Sequence, residues 1–261
     1  MRVRWVLGGV MLGGVTALVC DAMAGRPLSV DDADPAEAGL VEVEVGAAYE
    51  RGAGCTHWDM PLGVAYGLVP NVEIGMGFGG QMEEREEVVE GSGCDRADHE
   101  HGVGDLEVGA KWQFLRDGPM AVRHAIIPTV KFPTADDDRE LGSGKTDYDL
   151  TWASSVNLSG MAGAHLNVGY TWVGGVARDI VHYGLAVDCA VTEAVQWVGE
   201  VYAEKERSGG AGTVVQCAVG VRWAAVEGLT LDAAAGAGLD GDAPDFSATV
   251  GLTWALGGEG N

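Results

Sequence analysis

A chain of 261 residues is long enough for one large β domain or two small ones, and 39 acidic against 16 basic side chains give it a formal net charge of −23. That charge argues against binding nucleic acid, whose phosphates it would repel, and against docking on anionic lipid. It leaves membrane insertion open, since charges can sit in loops or inside a lumen.

The first elements are not part of a fold. Arg2 and Arg4 precede the apolar stretch from Trp5 to Val19, and Ala22-Met23-Ala24 is a small-x-small cleavage site. Residues 1–24 read as a signal peptide cleaved after Ala24, which exports the chain and permits disulfides. The apolar run is short for a spanning helix. Cys20 leaves lipid modification as an alternative, although Val19 is bulky where such a site wants a small residue. A polar lead, 25–39, is then expected on the periplasmic side.

The next stretch, LVEVEVGAAYE over 40–50, alternates without a slip: Val41, Val43, Val45, Ala47 and Tyr49 on one side, Glu42, Glu44, Gly46 and Ala48 on the other. Period two means a strand with one apolar and one wet face. Further strands are predicted at 57–68, 71–81, 103–115, 120–132, 146–158, 161–173, 180–190, 194–205, 213–224, 229–239 and 245–256, twelve in all. Most run 11 to 13 residues, long for soluble strands but close to what crosses a bilayer at a tilt. Every second connection is tight (VP, RDGP, SG, VTE, VEGL), while most of the others are longer, notably 82–102 and 134–145. An up-and-down barrel sorts its loops in this way, short turns toward the periplasm and long loops outward. All tryptophans after Trp5 fall in the apolar register, as lipid-facing girdles would place them; a soluble sandwich core is the rival reading.

The fold class expected is therefore all-β, an up-and-down antiparallel transmembrane barrel of about 12 strands over 40–256, with a tail at 257–261. The valines face lipid and the glutamates face the interior.

Three stretches carry a family resemblance: RPLSVDDADPAEAGLVEVEVG near the mature start, GVGDLEVGAKWQFL at 102–115, and PTVKFPTADDDRELGSGKTDYDLTWASSVNL at 128–158. The chain resembles the outer-membrane transporter family of the MetA-pathway of phenol degradation. The resemblance implies an exported β-barrel that passes small molecules, aromatic or hydrophobic ones included, and brings no catalytic residues. The chain departs from the family's Pro-Thr-Gly-Asp turn, with Pro133-Thr134-Ala135-Asp136 in its place, and it does not end on a terminal aromatic residue.

Candidate lumen residues follow from the polar register. Lys131 is expected between Asp105 and Glu107 on one neighbouring strand and Asp147 and Asp149 on the other. It is either a constriction that screens ions or part of a salt-bridge network bracing the wall. Lys111, Arg123 and Arg222 are expected as a smaller basic patch near the periplasmic end. His99 and His101, in GCDRADHEHG, are weak metal candidates whose spacing matches no closed site. Cys55 and Cys94 fall in outer loops and are either bonded or not. His124 and Ser154 share the outward register, but the hairpin pairing is expected to leave them several residues out of step, and no GxSxG occurs. No cofactor is expected. The expected partners are outer-membrane lipid and a small solute; the sequence does not fix the oligomeric state. The rival readings are a closed barrel that braces the envelope or displays loops and an outer-membrane lipid hydrolase.

Overall fold

The computed structural model describes residues 25–52, 55–85, 100–116, 121–136, 144–175, 179–207, 213–240 and 243–257. Its strands are β1 (Leu40–Gly52), β2 (Cys55–Asp59), β3 (Leu62–Val69), β4 (Val72–Arg85), β5 (Glu100–Leu115), β6 (Arg123–Phe132), β7 (Asp147–Ser159), β8 (Ala162–Trp172), β9 (Ile180–Ala190), β10 (Val195–Glu206), β11 (Thr213–Val226), β12 (Leu229–Gly238) and β13 (Phe246–Gly257). Successive crossings pair side by side, with β2 and β3 both between β1 and β4, and β13 returns to β1 antiparallel, from Leu40 opposite Gly257 to Arg51 opposite Phe246. The sheet is a closed barrel with no open edge.

The barrel has twelve crossings. The predicted strand 57–68 is one crossing in two pieces, β2 and β3, both lying between β1 and β4. The break falls at Met60-Pro61. Proline has no N–H for the ladder, so a strand between two neighbours must step around it. Gly46 N–H compensates by donating to Pro61 O at 2.9 Å.

Alternation decides which face is which. Trp58, Trp112, Trp152, Trp172, Trp197, Trp223 and Trp254 are all exposed on the outside, between 38% and 57%. Leu62, Val64, Ile74, Met76, Leu150, Leu185, Val187, Val219 and Val250 share that face. A contiguous apolar surface of this extent belongs in hydrocarbon. The other register buries Glu42, Lys111, Gln113, Asp147, Ser155, Asn167, Arg222 and Asp232. Among the described residues no helix is long and apolar enough to cross a membrane; the strands cross it.

The tight turns 70–71, 160–161, 191–194 and 227–228 gather at the end where β1 starts and β13 finishes. Gly228 has φ of 74°, the left-handed backbone a two-residue hairpin turn demands. From this end the lead 25–39 runs into the barrel rather than away from it. Ala38 forms a parallel bridge to Gly67, and Gly39 N–H donates to Gly67 O at 2.7 Å. A Cβ at position 67 would overlap the Glu37 carbonyl, so glycine makes this seat possible.

Candidate functional site: a polar lumen with an internal segment

Inward side chains from nearly every crossing converge on residues 25–36. Val30, Ala33 and Ala36 are buried, and Ala33 packs on Ala125 and Ala153 of the inner wall. A chain segment without strand partners must find its hydrogen bonds elsewhere, and the wall supplies them. Glu200 accepts from the backbone N–H groups of Ser29 (2.9 Å) and Val30 (2.9 Å). Asn167 brackets Asp31, accepting from its N–H and donating to its carbonyl, both at 2.8 Å. Ser155 Oγ accepts from Ala33 N–H at 2.9 Å, and Glu73 accepts from Ala36 N–H at 2.8 Å. Gln113 Nε2 donates to Ala33 O and to Asp34 Oδ1.

The predicted basic residues lie on the same inner surface, and each holds the lead. Arg123 Nε sits 2.7 Å from Asp34 Oδ1. Lys111 Nζ lies 3.8 Å from Asp31 and 3.6 Å from Asp32. Arg222 donates to the carbonyls of Arg26 (2.6 Å) and Gly25 (3.1 Å).

One polar chain links both ends of this segment through the wall. Ser155, holding Ala33, lies 2.8 Å from His165 Nδ1, and His165 Nε2 lies 2.6 Å from Asp188. Asp188 accepts from Gln196, which in turn accepts from Arg222 at 3.2 Å. With Asp188 ionised, the histidine carries its proton on Nε2, and Ser155 O–H points at Nδ1. This Ser–His–Asp alignment is a fastening: Ser155 is 1% exposed, and its oxygen already accepts a backbone N–H.

Lys131 Nζ is 2.8 Å from Asp105 on β5 and 2.8 Å from Asp147 on β7. Glu107 is its direct cross-strand partner. Asp149 instead takes His182 Nε2 at 2.8 Å together with the hydroxyls of Thr151 and Thr171. A cavity of about 310 Å³ extends between these two regions. Glu44, Glu73, Glu107 and Lys111 line it, over a wall bare of side chains at Gly63, Gly75, Gly77 and Gly109. A second cavity, about 190 Å³, sits over residues 27–29 against Glu200, Thr249 and a run of alanines.

Other candidates stay apart from this centre. Cys94 and His99 lie outside the described residues, and His101 stands on β5 opposite Met82. Residues 1–24, the tail beyond Gly257 and the stretches 86–99 and 137–143 also lie outside them. Among the described residues no group of His, Cys, Asp or Glu converges as metal ligands.

The expected offset of His124 and Ser154 is corrected: they are direct partners across β6 and β7, with Nδ1 2.5 Å from Oγ. A long connection does not set register, and a slip of two residues leaves every face unchanged. His124 is stacked between Phe114 and Trp152 on the outer surface.

Sequence reasoning missed Arg26, Glu200, Asn167, Ser155, His165, Asp188 and Asp232. The available signal was complementarity: Asp31, Asp32 and Asp34 in the lead matched inward Lys111 and Arg123.

The family described as "Putative MetA-pathway of phenol degradation" matches residues 25–256. No curated protein matches the chain. An outer membrane channel from Pseudomonas putida F1 is similar in structure at 14% identity and TM-score 0.67, over 86% of this chain and 98% of that one. The NanC porin is similar at 11% identity and TM-score 0.60, over 82% and 100%. The CymD monoaromatic hydrocarbon channel is similar at 8% identity and TM-score 0.51, over 86% and 90%.

Proposed function

The chain belongs to the MetA-pathway of phenol degradation family, and from that premise we propose that it is an outer-membrane channel for passive passage of small solutes. The observation that carries this reading is the lumen: a closed wall, a polar inner face and two cavities flanking an internal segment. A barrel meant only to brace the membrane has no need of a hydrated interior; twelve strands enclose more than side chains alone fill. The similar structures, a monoaromatic hydrocarbon channel and a porin, point to small solutes, aromatic ones included.

Residues 25–36 narrow the passage, and opening requires them to shift. The seat is polar and many-pointed, so the closed form predominates and open events are brief. Lys131 with Asp105 and Asp147 forms a charged collar beside the larger cavity, and Glu107 and Asp149 add acid to it. Cys55 begins β2, and a bond from it to Cys94 would fasten the long outer connection.

The test is conductance of the purified, refolded protein in a planar bilayer, with folding checked by heat-modifiable gel mobility. Discrete steps support the channel. Silence from an inserted barrel, persisting when the lead is unseated by Gly67→Val, overturns it and favours a closed structural barrel. That second reading draws on one observation, the dense bonding of the lead to the wall.

A further inference from the structure

Arg26 occupies a site built for it in the barrel wall. Its Nη2 donates to Asp232 Oδ1 at 3.2 Å, to Thr249 Oγ1 at 3.1 Å and to the Val250 carbonyl at 3.0 Å. The floor is Gly46 and Gly251, and a Cβ at either position would overlap the guanidinium. Two glycines on adjacent strands β1 and β13, directly paired across the closing seam, thus leave a recess the shape of a flat cation.

The fit is incomplete. Asp232 Oδ2 is buried without a partner, as are Glu44 Oε1 and Arg26 Nε. Asp232 is 7% exposed and receives one hydrogen bond from Arg26 where a carboxylate and a guanidinium can share two. An unpaired buried carboxylate oxygen is costly, and a better-placed donor would remove that cost. Thr249 also lines the cavity of about 190 Å³, whose alanine walls at 48, 218, 234, 235 and 248 suit a short aliphatic chain. A route therefore leads from a lumen cavity to the recess.

We infer that this recess is a binding site for a guanidinium-bearing or comparable small organic cation, and that Arg26 is an internal stand-in for that ligand. A solute cation that pairs both oxygens of Asp232 displaces Arg26. The neighbouring Arg26 and Gly25 carbonyls are held by Arg222, so the segment then loses one anchor while the rest of its seat remains. The site rests on the channel reading and adds a ligand class and a gate to it.

Methylguanidinium is the probe, compared with sodium at equal ionic strength in bilayer recordings of the full chain. The wild type is expected to open more often with methylguanidinium than with sodium. Arg26→Ala is expected to open without it and to lose the difference. Asp232→Asn is expected to shift the half-maximal concentration upward by about ten- to a hundredfold, the loss expected for a hydrogen bond between charged groups. Gly251→Ala fills the recess, so it expels Arg26 and abolishes the response in a barrel whose strand ladder is intact. Equal responses to the two cations in a conducting wild type overturn the site and leave the channel standing. So does a methylguanidinium response retained by Gly251→Ala with native heat-modifiability. Silence of the wild type, Arg26→Ala and Gly67→Val alike removes the channel reading itself.

Discussion

At the scale of single residues, two pairs show how position in the wall sets the meaning of a polar group. Ser154 and His124 face outward, where an unmet hydrogen bond has no water to turn to. Their 2.5 Å contact satisfies both, and the Phe114 and Trp152 rings shield it. Ser154→Ala leaves His124 Nδ1 without its partner and is expected to destabilise the barrel by about 1–3 kcal/mol. Urea titration of folding into lipid vesicles measures that. The same variant tests the hydrolase reading: release of fatty acid from phospholipid by the wild type, lost in Ser154→Ala, would make the pair catalytic instead. Lys131 faces inward and answers two carboxylates at once. Replacing it with alanine leaves Asp105 and Asp147 facing each other across β6. At an effective dielectric near 20, one unit charge about 8 Å from a passing ion is worth about 2 kcal/mol. Lys131→Ala is therefore expected to move the reversal potential toward the cation limit, and an unchanged reversal potential under a salt gradient returns Lys131 to a purely bracing role.

At the scale of elements, the strands were legible and the lead was not. Alternation in LVEVEVGAAYE and its counterparts marks both the strand and its lipid face, because a one-residue slip would turn Glu42 and Glu44 to hydrocarbon. The division into β2 and β3 was harder to see: Pro61 stands in an otherwise regular apolar alternation, and only its two flanking partners show that the ladder must skip it. The lead carries no periodicity, so nothing local marks it as buried. Its partners are single residues on different strands, as distant in sequence as Val250 from Arg26. The Lys131 surroundings were readable because adjacent strands supply them, whereas the Ser155–His165–Asp188–Gln196 chain needs the register of three consecutive pairings. The lead's independence from the ladder also yields an expectation. Asp34 takes both Gln113 and Arg123, and Asp34→Ala removes that double anchor without touching a strand. Open steps in the bilayer are expected to become more frequent, with heat-modifiable mobility unchanged. Stepping frequency equal to wild type would mean that the lead does not limit conduction.

At the scale of the whole molecule, part of the charge of −23 acquires a location. Glu42, Glu44, Glu73, Glu107, Asp149, Asp188 and Glu200 all stand in the inward register, and the lead adds Asp31, Asp32 and Asp34. Against them the wall sets Lys111, Arg123, Lys131 and Arg222, each already engaged with an acid or a carbonyl. A passage through this interior runs in a negative field, focused by the low-dielectric wall and lipid around it. Cations are therefore expected to carry most of the current at low salt. That preference must weaken with ionic strength, since the Debye length falls from about 10 Å at 0.1 M to about 3 Å at 1 M. Conductance in potassium chloride is accordingly expected to rise less than proportionally with concentration while the cation-to-anion permeability ratio falls. The ion pairs Arg123–Asp34 and Lys111–Asp32 are largely buried and so are screened much less, and opening durations are expected to change little over the same range. The two effects separate in one recording series: the field acts on the size and selectivity of each step, the anchors on its duration. Steps proportional to salt, with a constant permeability ratio, would mean that the lumen acids are balanced along the conducting path and that the net charge resides in the loops.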